Sequence, residues 1–555
     1  MVGRVSGLRR VRRPVGVVAL ALALVAAACG GGGDDGGDGG SASGDGEAGE
    51  PTPGGRVVYG LEAETTDGWC LPEAQLAISG IMVTDAIYDT LTRPNAEGEA
   101  EPWLAETVES NDDYTEWTIG LREGVTFHDG TDLTAEVVKN NLDAYRGAYP
   151  TRSPLLFTFV FDNVAAVDVV DPLTVRVTMN EPWVSFDSYL YSSGRLGMMA
   201  QAQLDDTESC AENLIGTGPF VLEDWTPNQS LTASKNPDYW ATDAAGNQLP
   251  YLDEIEFRPI VESSQRLNAL QSGEVNAIHT SDPEMVDELR SLDEEGTVTN
   301  VESVEFGEVS YTMLNASKPP FDNVLARQAL AYAFEFDEYN EIIGRGILTR
   351  ASGPFAPGNI GHLEETDYPQ YDPERAEELV AQYEEETGDE LSFSYTTTQA
   401  EATVAAGQVI KEQLGEIGVE MEIVTVDQST QIDTAISGDF QAIGWRNHPG
   451  GDPDQQYVWW ESSYPTNFGR INDPEIDDLL NQGRVTPDAD ERREIYETLN
   501  RRFAEQVWNL WAYYTLWSVG TAPDVHGVPG EGPTSEEPFP GLATGHLVSY
   551  MWVEE

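Results

Sequence analysis

"IYDTLTRPNAEGEAEPWLAETVESNDDYTEWTIGLREGVTFHDGTDLTAEVV" occupies residues 87–138. Within it Trp117, Ile119 and Leu121 alternate with Glu116 and Thr118, the period-two pattern of a half-buried strand. The period then changes. Asp129-Gly130 reads as a turn, and Thr134 stands where its hydroxyl caps a helix carrying Val137, Val138 and Leu142. His128 beside Asp129 and Asp132 raises a metal site, but metal would want a third ligand on a defined element, and turn plus cap account for the same residues.

The same alternation of periods runs outward in both directions. Leu173, Val175, Val177 and Met179 alternate with Thr174, Arg176 and Thr178, and Ile255 and Phe257 with Glu254, Glu256 and Arg258. Asp322 is placed to cap a helix whose face holds Leu325, Ala329, Tyr332, Ala333 and Phe336. Ala406, Ile410, Leu414 and Ile417 mark another, stopped by Gly418; Val419, Met421 and Ile423 follow as a strand, and 439–445 as a further one. Ile495, Leu499, Phe503, Val507 and Trp511 recur every fourth residue and predict one long amphipathic helix. Strands mixed with helices over 555 residues, without an internal repeat, predict an α/β or α+β protein of two or three domains.

The N-terminus reads as an export signal, 1–28. Arg4, Arg9, Arg10, Arg12 and Arg13 precede an apolar run, Val15 to Ala28, that is short for a bilayer span. It ends in "VAAAC", a lipobox pattern that assigns Cys29 to lipidation, with Ala26 where Leu is commoner. The twin Arg12-Arg13 leaves the export route open. Residues 29–54 are the lipidated Cys29 and an acidic, Gly-rich tether with nothing apolar larger than Ala, which cannot build a core. The expectation is a protein anchored to the outer face of the membrane through lipid alone. Cys70 and Cys210 remain as an even pair in an oxidising compartment, which favours a disulfide.

Asp and Glu number 97 against 30 Lys and Arg, a formal charge of −67. Such a surface repels nucleic acid and anionic headgroups, so neither is an expected partner. Self-repulsion on this scale requires screening, as in halophile-like proteins. The melting temperature is therefore expected to rise between low and molar salt; a flat or falling trend removes that reading.

No nucleophile motif of the GxSxG, SxxK or HExxH kind occurs, and "GTGPF" (216–220) lacks the spacing and lysine of a phosphate loop. Six scattered histidines give no metal-like pairing, so no metal and no cofactor is assigned. Aromatics concentrate instead in "GWRNHPGGDPDQQYVWW", 444–460, a Gly/Pro loop at the end of a predicted strand. Ligand sites of α/β domains gather at such strand ends.

Taken in order, these segments resemble the extracellular solute-binding proteins of family 5, the peptide/nickel type serving ABC importers. The resemblance is carried by 87–138, by "IGTGPFVLEDWTPNQSLTASKNPDYW" (215–240), by "PYLDEIEFRPI" with "RLNALQSGEVNAI" (250–278), by "LNASKPPFDNVLARQALAYAF" (314–334) and by "YDPERAEELV" (371–380). It implies a type II periplasmic-binding-protein fold: two α/β lobes hinged by two crossing strands, near 305–310 and 510–518, with an extra inserted subdomain. Lobe one would comprise 55–88, 215–304 and 515–555, the inserted subdomain 89–214, and lobe two 305–514. Cys70–Cys210 would tie the N-terminal segment to the insert.

The resemblance also implies capture of a peptide or peptide-like solute by a monomer, delivery to ABC permease subunits, and no bond made or broken. An oligosaccharide, a nickel chelate, a sensing or adhesion role, and last a secreted hydrolase are the alternatives. In dipeptide-binding relatives an aspartate shortly after the GW pair grips the α-ammonium; here His448 or a neighbour stands in its place. Arg446 is then a candidate for a carboxylate. Trp445, Asn447, His448, Asp452, Tyr457 and Trp459 complete the candidate set on lobe two, and Trp69 is expected to face the cleft from lobe one.

Overall fold

The computed structural model describes residues 50–65, 68–74, 76–154, 157–447 and 450–554. The leader, Cys29, most of the tether and His448 lie outside the described residues. Among the described residues no helix is long and apolar enough to cross a membrane.

Three sheets organise the chain. A seven-stranded sheet holds β1 (Arg56–Leu61), β6 (Phe220–Thr226), β7 (Ser230–Lys235), β8 (Glu254–Pro259), β9 (Ala277–Thr280), β10 (Thr299–Ser303) and β17 (Trp517–Thr521), in the order β10-β17-β9-β1-β8-β7-β6. A four-stranded antiparallel sheet, β2 (Ala105–Ser110), β3 (Glu116–Leu121), β4 (Val164–Asp171) and β5 (Thr174–Met179), falls between β1 and β6 in the chain. A six-stranded sheet is built from β11 (Val309–Leu314), β12 (Thr349–Arg350), β13 (Ser392–Thr398), β14 (Glu420–Val426), β15 (Ala442–Arg446) and β16 (Asn509–Tyr514), ordered β12-β16-β11-β15-β13-β14. The helices used below are α1 (Ile78–Ile87), α2 (Ala135–Tyr145), α3 (Val324–Ala333), α4 (Glu401–Glu416), α5 (Pro474–Val485) and α6 (Ala489–Gln506).

The molecule is a two-lobed α/β protein, and the chain passes between the large sheets twice. It leaves β10 and enters β11 through 304–308; it leaves β16 and enters β17 through 515–516. The two passages lie side by side, with the Thr515 amide donating to the Glu308 carbonyl at 2.9 Å. Phe306 adopts a left-handed φ of 48° and packs its ring 4.9 Å from Phe539. A Cβ on Gly98 or Gly358 would collide with the Phe306 ring, so both approaches require glycine.

The opening motif is held by one carboxylate. Asp89, fully buried, accepts from Trp103 Nε1 at 2.8 Å, Thr217 Oγ1 at 2.9 Å, Tyr239 OH at 3.1 Å and Trp240 Nε1 at 3.1 Å. It therefore joins 87–138 to the "GTGPF" turn and to the Tyr239-Trp240 pair. His128 serves the same turn, its ring reaching the Gly216 amide (3.3 Å) and the Gly218 carbonyl (3.0 Å). Gly216 and Gly218 are glycines because a Cβ there would strike Ile87 and Tyr88. Cys70 and Cys210 are bonded, S–S 2.04 Å, across the segments that flank the four-stranded sheet.

Strand alternation follows the sequence pattern: Trp117, Ile119 and Leu121 are buried on β3, and Val175, Val177 and Met179 on β5. Thr134 caps α2 through the Val137 amide. Three readings need correction. The cap of α3 is Asn323, which accepts from the Leu325 amide at 2.9 Å; Asp322 lies one residue outside, and Phe336 opens a separate short helix. Glu256, on the polar side of β8, is buried beneath Arg56 and Arg258, so that face is covered too. The predicted helix through Trp511 ends at Gln506: Val507 turns left-handed (φ 48°), and Trp511 is an inward residue of β16. Its four-residue spacing from Val507 coincides with the inward positions of a strand, so one apolar series spans two elements.

Candidate functional site

Strand β15 ends where the lobes meet. It runs antiparallel to β11, so Trp445 lies opposite Tyr311 and Arg446 opposite Ser310. Successive side chains of a strand take opposite faces, which sends Trp445 and Arg446 to different surroundings.

Arg446 points toward the seven-stranded lobe. Its Nη1 lies 3.3 Å from Ser281 Oγ, just beyond β9, and 3.4 Å from Glu308 Oε2 on the first passage. Trp517 Nε1, entering β17 from the second passage, donates to the same Glu308 oxygen at 3.3 Å. One guanidinium thus gathers both lobes and both crossings. Burial opposes its charge, but Glu308, Tyr513 and Glu62 outweigh that and raise its pKa, so it stays a cation. Glu62, at the end of β1, is shifted the other way from an exposed acid: burial raises its pKa, against Arg266 and Arg446. Some 38% of the Arg446 side chain remains accessible; its contacts with Ser281 and Glu308 are long, and the Tyr513 side chain is a further hydrogen-bond partner. Its accessible part leaves room for a carboxylate beside these partners.

Trp445 turns into a shallow aromatic recess shared with Trp459, Phe468, Tyr311 and Asn509. Phe468 meets the Trp445 ring edge-on at 6.0 Å and the Trp459 ring at 5.7 Å. Its offered surface is flat, apolar and edged with polar groups, suited to a ring or an apolar side chain.

The other sequence candidates hold the loop together. Asn447 is buried, its Oδ1 accepting from the Val309 amide and its Nδ2 donating to the Pro354 carbonyl. Asp452 takes Arg492 through both oxygens at 2.6 Å and accepts from the Asp454 amide. Tyr457 is buried against the Arg484 guanidinium, 3.5 Å from its ring, and donates to Asn481. Trp69 is buried beside Trp225 at a second, small recess at the end of β1, away from the Trp445 recess.

Sequence reasoning passed over Glu308, Tyr513, Ser281, Glu62 and His279. Glu308 and Tyr513 fall inside the expected crossings, which was a usable signal; Ser281 and Glu62 carried none. His279 sits on β9 with Nε2 toward Ser79 Oγ (3.0 Å) and the Glu62 amide (3.4 Å), and its ring lies 5.5 Å from Trp517. Burial, then Arg266 and His546, lowers its pKa to about 3, so it works as a neutral acceptor. Among the described residues no group of three or more His, Cys, Asp or Glu is placed to hold a metal ion.

The family described as "Bacterial extracellular solute-binding proteins, family 5 Middle" matches residues 99–469. The chain belongs to that family. Family 5 relatives include the glutathione-binding protein GsiB of Escherichia coli K12, 27% identical over 431 residues, covering 75% of this chain and 80% of GsiB. Two solved structures share the fold. DppA of Helicobacter pylori with the peptide STSA superposes at a TM-score of 0.78, with 22% identity over 91% of this chain and 99% of that one. AgaA of A. tumefaciens R10 with agropinic acid gives 0.77, with 23% identity over 90% and 99%. Site and fold together describe a solute-binding protein of family 5, with Arg446 at the junction of its lobes.

Proposed function

We propose that this family 5 protein captures a peptide-like solute with an anionic end between its lobes and presents it to the permease of an ABC importer. The single observation that carries the reading is Arg446: a strand-end cation of one lobe, partly accessible, reaching Ser281 of the other at 3.3 Å. Ligand that touches both lobes favours the shut state, and no bond is made or broken. Trp445 and Trp459 line an apolar recess on the other face of β15, and the glutathione ligand named for GsiB is of the same chemical class. Asn447, Asp452 and Tyr457 belong to this reading as the loop's frame.

The wider organisation goes with it. Lobe one is 55–88, 215–304 and 515–555; 89–214 is the insert; lobe two is 305–514. Cys29 carries the lipid, the tether gives reach, and a monomer works outside the membrane.

Native mass spectrometry of gently purified protein should show a bound small molecule. Calorimetry with glutathione and a panel of di- and tripeptides then ranks solutes. A charge-assisted hydrogen bond contributes about 1.5–3 kcal/mol, so Arg446→Gln is expected to weaken the best anionic solute roughly 10- to 100-fold. Unchanged affinity in Arg446→Gln and Trp445→Ala removes this site.

A further inference from the structure

We propose that residues 183–193, beyond the four-stranded sheet, form a latch that the six-stranded lobe engages when the cleft shuts, adding closing energy that no solute supplies. This rests on the protein being one that closes on its solute.

The latch centres on Asp454, a fully buried carboxylate of the 444–460 loop. Across the interface it accepts from Trp183 Nε1 at 2.7 Å and Ser185 Oγ at 3.0 Å, while Tyr189 OH donates to its carbonyl. From its own lobe Arg484, near the end of α5, pairs with it at 3.0 Å. The Val184 amide donates to the Arg484 carbonyl at 2.9 Å, and the Arg484 guanidinium lies 4.9 Å over the Trp183 ring. At the rim Tyr464 OH donates to Asp162 at 2.6 Å.

The distribution of charge is what makes this a latch. Both charged groups, Asp454 and Arg484, belong to one side. At this centre the other side offers neutral donors, Trp183, Ser185 and Tyr189; its Asp162 carboxylate lies at the exposed rim, bonded to the Tyr464 hydroxyl. Separating the faces leaves the ion pair intact and strands no charge, whereas an ion pair split across the interface would leave two uncompensated charges. The contact is tight when closed and cheap to release. Backbone strain marks the same segment: Ser192 and Ser193 are left-handed, φ 44° and 56°, in non-glycine residues.

The test uses the full chain without ligand. Trp183→Phe with Ser185→Ala removes two donors and leaves the Asp454–Arg484 pair. Small-angle scattering is expected to show a larger radius of gyration than wild type. Hydrogen exchange at the Val184 amide is expected to quicken tenfold or more, with β3 and β5 unchanged. Tyr464→Phe, at the exposed rim, is expected to shift both readouts the same way by less. The double variant is also expected to bind glutathione, or the tightest peptide found, about tenfold more weakly. Arg446→Gln, which leaves every latch contact in place, is expected to weaken binding with Val184 exchange near the wild-type rate, which separates the latch from the solute site. Unchanged scattering and Val184 exchange in the double variant overturns the latch. So does faster exchange throughout β3 and β5, which reports loss of the subdomain's own fold.

Discussion

Replacing Asp89 by alanine is expected to destabilise the protein by about 3–5 kcal/mol. Four donors converge on this carboxylate, from Trp103, Thr217, Tyr239 and Trp240, and no cation shares it within 4.0 Å among the described residues. Each bond to a charged acceptor contributes roughly 1.5–3 kcal/mol, and each donor left dry costs about 1–3. The sum is not additive, because water enters the vacated space and two donors can turn toward it. Asp89→Asn is expected to cost less than the alanine change, since one oxygen survives, yet more than a surface change, since its NH₂ faces donors. Urea unfolding followed by tryptophan fluorescence measures both. An alanine variant with the wild-type midpoint would show that the motif is held by packing alone.

A second large effect is expected in acid. His279 and His546 are buried, and burial lowers both pKa values from 6.5 to about 3, with Arg266 and His546 adding to the shift at His279. The folded state refuses a proton that the unfolded chain binds. Stability from each histidine is therefore complete above pH 6.5 and is lost as pH falls toward 3, at about 1.4 kcal/mol per pH unit. Asp85 and Asp187 act in the opposite sense. Burial first, and then Asp89 and Asp452 respectively, pushes them up to about 7, so they hold protons when folded and favour the fold as pH drops from 7 toward 4. The wild-type curve mixes these trends, and a variant separates them. His279→Gln keeps an acceptor for Ser79 and the Glu62 amide and cannot be protonated. Its stability relative to wild type is expected to improve by about 3 kcal/mol between pH 6.5 and 4. A constant packing penalty does not alter that slope; parallel curves would refute the assignment.

Much of the fold was legible. Period-two runs at 117–121 and 173–179 are strands because one face of the small sheet meets solvent, the condition under which alternation survives. The run at 495–511 misled because an apolar spacing of four is common to a helix face and to alternate strand residues, and nothing in Val507 announces a left-handed turn. The candidate site was half legible. Arg446 and Trp445 stood out as large residues at a strand end. Ser281 and Glu62 did not, since their importance comes from the distant strand that folds against them. Asn447, Asp452 and Tyr457 look like ligand groups because loops need polar side chains to satisfy their own backbone, and composition does not separate that use from recognition.

The paired passages at 304–308 and 515–516 have an evolutionary consequence. Tied by the Thr515–Glu308 bond, they make one narrow connection between the lobes. Lobes joined at so narrow a place can shut without remodelling their outer faces. A partner that reads closure from outside meets the same outer surface whatever the cleft holds. On the proposed reading, substitutions that change the solute are free to accumulate around Arg446 without disturbing that outer surface. A family so hinged can diversify its cargo while keeping its transporter.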